Sequence, residues 1–130
     1  MKSLIVLLAL LLLPSIASAQ LTGPVTTTSK LIWTAPSNAG SVATAQALEY
    51  RFRDNGGAFL AVPGASCASL AADGCQTTLS AAMVATLNAI GTHNVTLSAY
   101  DTTGLLESAP SIPFVLKSPP GAPTGVKLTP

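Results

Sequence analysis

Hydrophobic side chains recur at every second position through most of this chain, and that period constrains the fold more than any other feature. Leu31 and Trp33 share one face of a first segment, and Tyr50 and Phe52 share one face of the next. A period of two is typical of half-buried β-strands, because successive side chains of a strand point to opposite faces. The pattern therefore predicts an all-β fold with these four side chains in its core.

A strong turn signal, Asp54-Asn55-Gly56-Gly57, follows the second of these segments. Asn and Gly tolerate the positive φ that tight hairpin turns require, so residues 59–62 are predicted to return as the partner strand. The residues before the turn alternate in charge on the face opposite Tyr50 and Phe52, which is typical of a sheet face in contact with solvent.

The longest alternating segment spans residues 93–100. His93, Val95 and Leu97 share one of its faces, and we predict that they belong to the core. Shorter strands are predicted on both sides of it, over residues 76–79 and 112–117. Six or seven short strands with frequent turns and no long helix favour a β-sandwich.

A short Ala-rich stretch separates two of these strands. Ser80 is a suitable N-cap for one or two helical turns over residues 81–87, and Gly91 ends the stretch. Met83 and Leu87 are four residues apart, so they share one side of such a helix. Leu87 is a predicted core residue.

The amino-terminal residues 1–19 are predicted to be a cleavable signal peptide. Lys2 precedes an apolar run over residues 4–13, and Ala17-Ser18-Ala19 supplies the small residues that signal peptidase requires. The alternative, a membrane anchor, is disfavoured because ten apolar residues are too few where about 20 are needed to span a bilayer. We therefore expect a secreted or extracellular protein, with the periplasm or cell surface as possible locations and no membrane span after cleavage.

The only two cysteines, Cys67 and Cys75, are close together in the sequence. In the oxidising compartment that export implies, we expect a disulfide that closes this short loop. The alternative is that Cys67 is a catalytic nucleophile and that His93 is the base that activates it.

Charge and motif content restrict the function. The chain has six Lys and Arg and five Asp and Glu, so removal of Lys2 with the signal peptide leaves five of each. This balance disfavours nucleic acid as a partner. With one His in the chain and no recognised catalytic or phosphate-binding motif, we expect no enzyme activity, no cofactor and no metal site.

The order of these features resembles the fibronectin type III and bacterial Ig-like families. Residues 31–36 look like their second strand and residues 49–54 like their third. Residues 87–104 are similar to the sixth, in which a Leu precedes a tyrosine-corner residue by six positions, here Leu87 and His93. The resemblance implies an antiparallel β-sandwich of about seven strands over residues 20–117. At the corner, His93 would pack and donate a backbone hydrogen bond; metal ligation or catalysis is the alternative.

A Pro-rich tail follows over residues 118–130 and ends in a strand-like stretch that resembles the opening of another such domain. One interpretation is a disordered linker. The other is that Thr124, Val126 and Leu128 form a strand that adds to an open sheet edge of a neighbouring copy.

The sequence predicts a secreted, non-catalytic β-sandwich module for extracellular binding or adhesion. Its ligand is expected to be a protein or a glycan, which the sequence does not identify. The first alternative is a structural subunit of a surface filament, assembled by strand addition of the tail. A small secreted enzyme or inhibitor is the second.

Overall fold

The computed structural model describes residues 21–111 and 113–130. The predicted signal peptide, residues 1–19, lies outside the described residues, as does Ile112, the first residue of the predicted last strand.

Short strands dominate the described part of the chain. Its two helices are α1 (Val42–Ala47) and α2 (Ala81–Asn88). Its nine strands are β1 (Leu21–Thr22), β2 (Lys30–Trp33), β3 (Glu49–Asp54), β4 (Leu60–Ala61), β5 (Ser66–Cys67), β6 (Cys75–Thr78), β7 (Gly91–Asp101), β8 (Leu106–Glu107) and β9 (Phe114–Ser118). The fold is all-β, as the alternating pattern predicts.

The strands form two sheets. The larger sheet has the order β1-β9-β7-β3-β4, with β8 paired to the end of β7, and the smaller sheet has the order β2-β6-β5. All pairs are antiparallel except β1 with β9, which is parallel. The larger sheet is therefore mixed rather than purely antiparallel. The described residues form nine strands, where about seven were expected. One reason is that β8 and β9 are separate strands that both pair with β7.

That interruption is bridged by two serine side chains. The Ser111 hydroxyl accepts a hydrogen bond from the Leu97 N–H at 3.0 Å, and the Ser108 hydroxyl accepts one from the Ala99 N–H at 2.9 Å. Pro110, between them, has no N–H to donate. Residues 108–111 thus follow β7 without forming a regular ladder, and they contribute to the lining of two grooves described below.

Both helices begin at a serine cap. The Ser80 hydroxyl accepts from the Met83 N–H, as predicted for α2, and the Ser41 hydroxyl accepts from the Thr44 N–H at the start of α1. Helix α1 is a finding that the sequence pattern did not predict. Its six residues are too few to establish a helical period of hydrophobic side chains.

The core lies between the two sheets and beneath α2. Its main cluster of buried side chains includes four of the predicted core residues, Leu31, Phe52, Leu87 and Val95. Trp33 and Leu97 are partly buried and pack against this cluster. Tyr50 and His93 are also buried, with 3% and 5% of their surface exposed. A second cluster surrounds the two cysteines and α1.

Candidate binding surfaces

The outer face of the larger sheet carries a concentrated set of charged and aromatic side chains. The alternation along β3 and β7 directs these side chains away from the core, and β8 brings a further carboxylate across them. We define the outer-face cluster as Glu49, Arg51, Arg53, Phe59, Ser98, Tyr100 and Glu107.

Glu107 holds the cluster together with both of its carboxylate oxygens. Its Oε1 accepts from Arg53 Nη1 at 2.7 Å and from Ser98 Oγ at 2.6 Å, and its Oε2 accepts from Arg51 Nη1 at 3.0 Å. Arg51 Nε donates in turn to Glu49 Oε1 at 2.8 Å. Two guanidinium groups are therefore matched by two carboxylates, and the cluster as a whole is neutral.

These contacts shift the pKa of two of the charged groups. The hydrogen bond from Arg53, followed by those from Ser98 and Arg51, lowers the pKa of Glu107 to about 2. The hydrogen bond to Glu49 raises the pKa of Arg51 above its ordinary value. The Glu107 carboxyl is consequently ionised at neutral and mildly acidic pH.

Aromatic rings fix the position of Arg51. Its guanidinium carbon lies 3.7 Å from the centroid of the Tyr100 ring and 4.2 Å from that of Phe59. Such cation–π contacts orient a flexible side chain, and only 16% of the Arg51 side-chain surface stays exposed. Phe59 remains 42% exposed, so part of this ring also faces solvent.

A groove of about 730 Å³ begins at this cluster and continues along β7. It is lined by Arg53, Asn55, Gly56, Asn94, Thr96, Ser98, Glu107, Ser108, Pro110 and Pro113. We call it the outer-face groove. Its lining is rich in amides, hydroxyls and paired charges, which offers closely spaced donors and acceptors to a polar ligand.

The predicted turn after β3 forms one wall of this groove. Asn55 and Gly56 have φ of 51° and 69°, the left-handed conformation for which Asn and Gly were expected there. Asn55 Oδ1 accepts from the backbone N–H and the side-chain amide of Asn94, both at 3.0 Å. The wall is thus tied to β7 and preformed.

His93 is buried behind this turn and uses both ring nitrogens. Nδ1 lies 2.7 Å from Asp54 Oδ2, and Nε2 lies 2.8 Å from the Ala89 carbonyl oxygen. Because an ionised carboxylate and a carbonyl only accept hydrogen bonds, this geometry favours the imidazolium form of His93, in which both ring nitrogens donate. The Asp54 hydrogen bond is the main cause of its raised pKa, with the Ala89 carbonyl adding to it against the effect of burial.

The backbone contact of His93 is of the kind expected for it, whereas the Asp54 partner was not expected. The sequence predicts Asp54 at the end of a strand and the start of a turn, and it does not indicate a contact with His93. The β3–β7 register aligns Asp54 with Val95, two residues from His93, and so brings the two side chains together. Both ring nitrogens are engaged, which leaves neither free to ligate a metal or to activate Cys67.

Cys67 and Cys75 form the expected disulfide, with the sulfurs 2.04 Å apart. No free cysteine occurs in the described residues, so the alternative of a Cys67 nucleophile is wrong for this oxidised form.

The tail residues predicted to form a strand are exposed. Val126 and Leu128 expose 84% and 97% of their surface, and Thr124 is exposed as well. The tail forms neither helix nor strand beyond Ser118.

Among residues 21–111 and 113–130, no group of three or more His, Cys, Asp or Glu side chains is placed to hold a metal ion. Neither of the two described helices has the length and apolar composition needed to cross a bilayer. No family model, no curated protein and no solved structure matches the chain.

Proposed function

We propose that the protein is a secreted, non-catalytic, Ig-like module that binds an extracellular glycan through its outer-face groove. The outer-face groove carries this proposal, because it combines a preformed wall with the paired charges of Arg53 and Glu107 and adjoins the rest of the outer-face cluster, where the Phe59 ring is exposed.

The Ig-like assignment is supported by the way the chain divides between the two sheets. β2 lies in the smaller sheet, β3 and β4 in the larger, β5 and β6 in the smaller again, and β7 to β9 in the larger. This is the exchange between sheets that Ig-like sandwiches make. The hydrogen bond between His93 and Ala89, four residues upstream, resembles the side-chain-to-backbone bond of a tyrosine corner and so supports the proposal.

Export is supported by the Cys67–Cys75 disulfide, since such bonds persist in oxidising compartments. Amino-terminal sequencing of the exported protein tests this part of the proposal. The expected first residue is Gln20, and a protein that retains residues 1–19 would contradict it.

A glycan suits the groove for electrostatic and geometric reasons. The charges of the outer-face cluster are already paired, so the surface offers no net field to attract a strongly charged ligand. Sugar hydroxyls both donate and accept, and therefore match a lining of carboxylate, guanidinium, amide and hydroxyl groups. Phe59 lies outside the groove lining, but its ring centroid is 5.5 Å from the guanidinium carbon of Arg53, which lines the groove. A sugar that extends past Arg53 can therefore pack its C–H groups against this exposed ring.

The test is binding of the mature protein to an array of neutral and acidic oligosaccharides, with two charge-removing variants in parallel. We expect binding to neutral oligosaccharides, a loss of about tenfold or more for Arg53→Ala, and no loss for Lys117→Ala. Lys117 is an exposed cation of the same sheet, outside the groove, and so is a matched control. Equal binding by both variants, or binding to acidic oligosaccharides alone, would refute the proposal.

A further inference from the structure

A second surface of the molecule, unrelated to the outer-face groove, is an open sheet edge. β2 pairs with β6 on one side only, and among residues 21–111 and 113–130 no strand pairs with its other side. An unpaired edge presents a row of backbone N–H and C=O groups to which an extended chain can bond.

A groove of about 650 Å³ runs beside this edge, between β2 and the interrupted segment that joins β8 to β9. We call it the inter-sheet groove. Consecutive residues 31–34 line it, so the backbone of β2 faces the opening as well as the Leu31 and Trp33 side chains. Leu97 and Phe114 of the larger sheet form its opposite apolar wall.

No charged side chain lines the inter-sheet groove. An occupant that fills it must therefore present an uncharged face, since an unpaired charge moved out of water there would be strongly disfavoured. The tail has such a face. Val126 and Leu128 lie two residues apart and share one side of an extended chain with Thr124, while Lys127 falls on the other side.

We propose that residues 124–128 of a second copy of this chain lie along the free edge of β2, with Val126 and Leu128 in the inter-sheet groove. Five extended residues span about 16 Å, which is sufficient to follow the four residues of β2. Gly125, now at φ of 65°, adopts the extended conformation without steric cost. Lys127 then points to solvent.

The linkage of the tail to β9 favours a second copy over the same copy. Phe114 lines the groove, but the tail leaves from Ser118, at the far end of β9, where the Ser118 hydroxyl donates to the Leu87 carbonyl. To enter its own groove the tail would have to reverse direction at once. Residues 119–123 contain three prolines, which favour an extended, semi-rigid spacer instead.

This contact determines what kind of assembly forms. A five-residue strand buries less than the roughly 800 Å² per partner of a standard stable interface, so each contact is weak and association depends on concentration. The tail of one copy and the groove of the next are different surfaces. Such head-to-tail contacts do not need to close, and they extend into chains.

The first test is sedimentation velocity of the mature protein, with its tail intact, between about 1 μM and about 1 mM. We expect the weight-average mass to rise with concentration. The double variant Val126→Asp/Leu128→Asp, which places charge on the inserted face, is expected to remain monomeric. Lys127→Asp, which changes a solvent-facing residue of the same segment, is expected to associate like the wild type.

The second test identifies the groove. Trp33 is the only tryptophan of the chain and lines the inter-sheet groove, so its fluorescence reports occupancy. A synthetic peptide of residues 119–130 is titrated into the mature Val126→Asp/Leu128→Asp protein, whose own tail is expected not to bind. We expect a saturable change in Trp33 emission, and no change with a peptide that carries the same two substitutions.

Two results would overturn the proposal. One is a weight-average mass that stays at the monomer value at every concentration, together with no change in Trp33 emission when the peptide is added. That result would mean that the tail does not occupy the edge of β2. The other is a monomeric wild type whose Trp33 emission differs from that of the double variant, which would place the tail in the groove of its own copy.

Discussion

The buried pair between His93 and Asp54 makes the stability of the domain depend on pH in an unusual direction. The pKa of His93 is raised above its ordinary value of 6.5, chiefly by the Asp54 hydrogen bond. Its stabilising contribution is therefore complete below pH 6.5 and is lost as the pH rises through the folded-state pKa. We expect the free energy of unfolding to fall as the pH rises above 6.5.

The magnitude follows from the geometry. The two side chains expose only 6% and 16% of their surface, and the Nδ1–Oδ2 distance is 2.7 Å. A charge-assisted hydrogen bond of this kind contributes about 2–3 kcal/mol. Asp54→Asn keeps an acceptor oxygen but removes the negative charge, so it is expected to lower the free energy of unfolding by about that amount below pH 6. This is a large fraction of the roughly 5–15 kcal/mol of a typical domain.

The assay is urea unfolding followed by Trp33 fluorescence at several values between about pH 5 and about pH 9. The wild type should lose stability as the pH rises through that range, and Asp54→Asn should show a much smaller slope. Asp73→Asn is the matched control, because Asp73 is exposed and already has the left-handed φ of 57° that Asn tolerates. Parallel pH profiles for the wild type and Asp54→Asn would refute this account of His93.

Three further predictions concern the covalent link, the outer-face cluster and a helix cap. Replacing Cys67 and Cys75 by Ala should lower the free energy of unfolding by about 2.5 kcal/mol in urea titrations, because the unfolded chain is no longer closed into a loop. The Glu107 carboxyl should titrate near pH 2 in carbon-detected NMR, and Arg53→Gln should raise that pKa toward its ordinary range, since Arg53 makes the largest contribution to the shift. Ser80→Ala should cost about 1 kcal/mol through loss of the hydrogen bond to the Met83 N–H.

Each of these predictions has an outcome that would contradict it. Unchanged stability of the cysteine-free variant would mean that the disulfide does not constrain the unfolded state. A Glu107 pKa that Arg53→Gln leaves near 2 would assign the shift to Ser98 and Arg51 instead. For the cap, Ser69→Ala provides a comparison outside any helix, and an equal loss in both serine variants would argue against capping.

Local patterns predicted the parts of the fold that depend on neighbouring residues. The period of two located β2, β3 and β7, the Asn55-Gly56 pair located a turn with positive φ, and Ser80 located the start of α2. Each of these signals lies within a few residues of the structure that it specifies.

The features that were missed depend on register between distant segments. Asp54 meets His93 across 39 residues, and Glu107 meets Arg51 and Arg53 across more than 50. Periodicity places such side chains on a face but does not align one strand with another. The outer-face cluster was for this reason visible in the sequence only as alternating charges along β3, without the carboxylate that joins them.

The sequence did not predict the parallel pairing of β1 with β9 either. Two residues, Leu21 and Thr22, are too few to carry a strand pattern of their own. They lie beside Leu116 and Lys117 at an edge of the larger sheet, and the sequence does not indicate this pairing.

The most direct test of the proposed function is an NMR titration of the isotope-labelled mature protein with neutral oligosaccharides, using chitohexaose, cellohexaose and mannohexaose as probes. The account predicts that at least one of them shifts the amide resonances of residues lining the outer-face groove, such as Asn55, Asn94 and Thr96, and leaves those of β2 unchanged. No change in amide chemical shifts with any of the three probes, or changes confined to residues outside the outer-face groove, would contradict it.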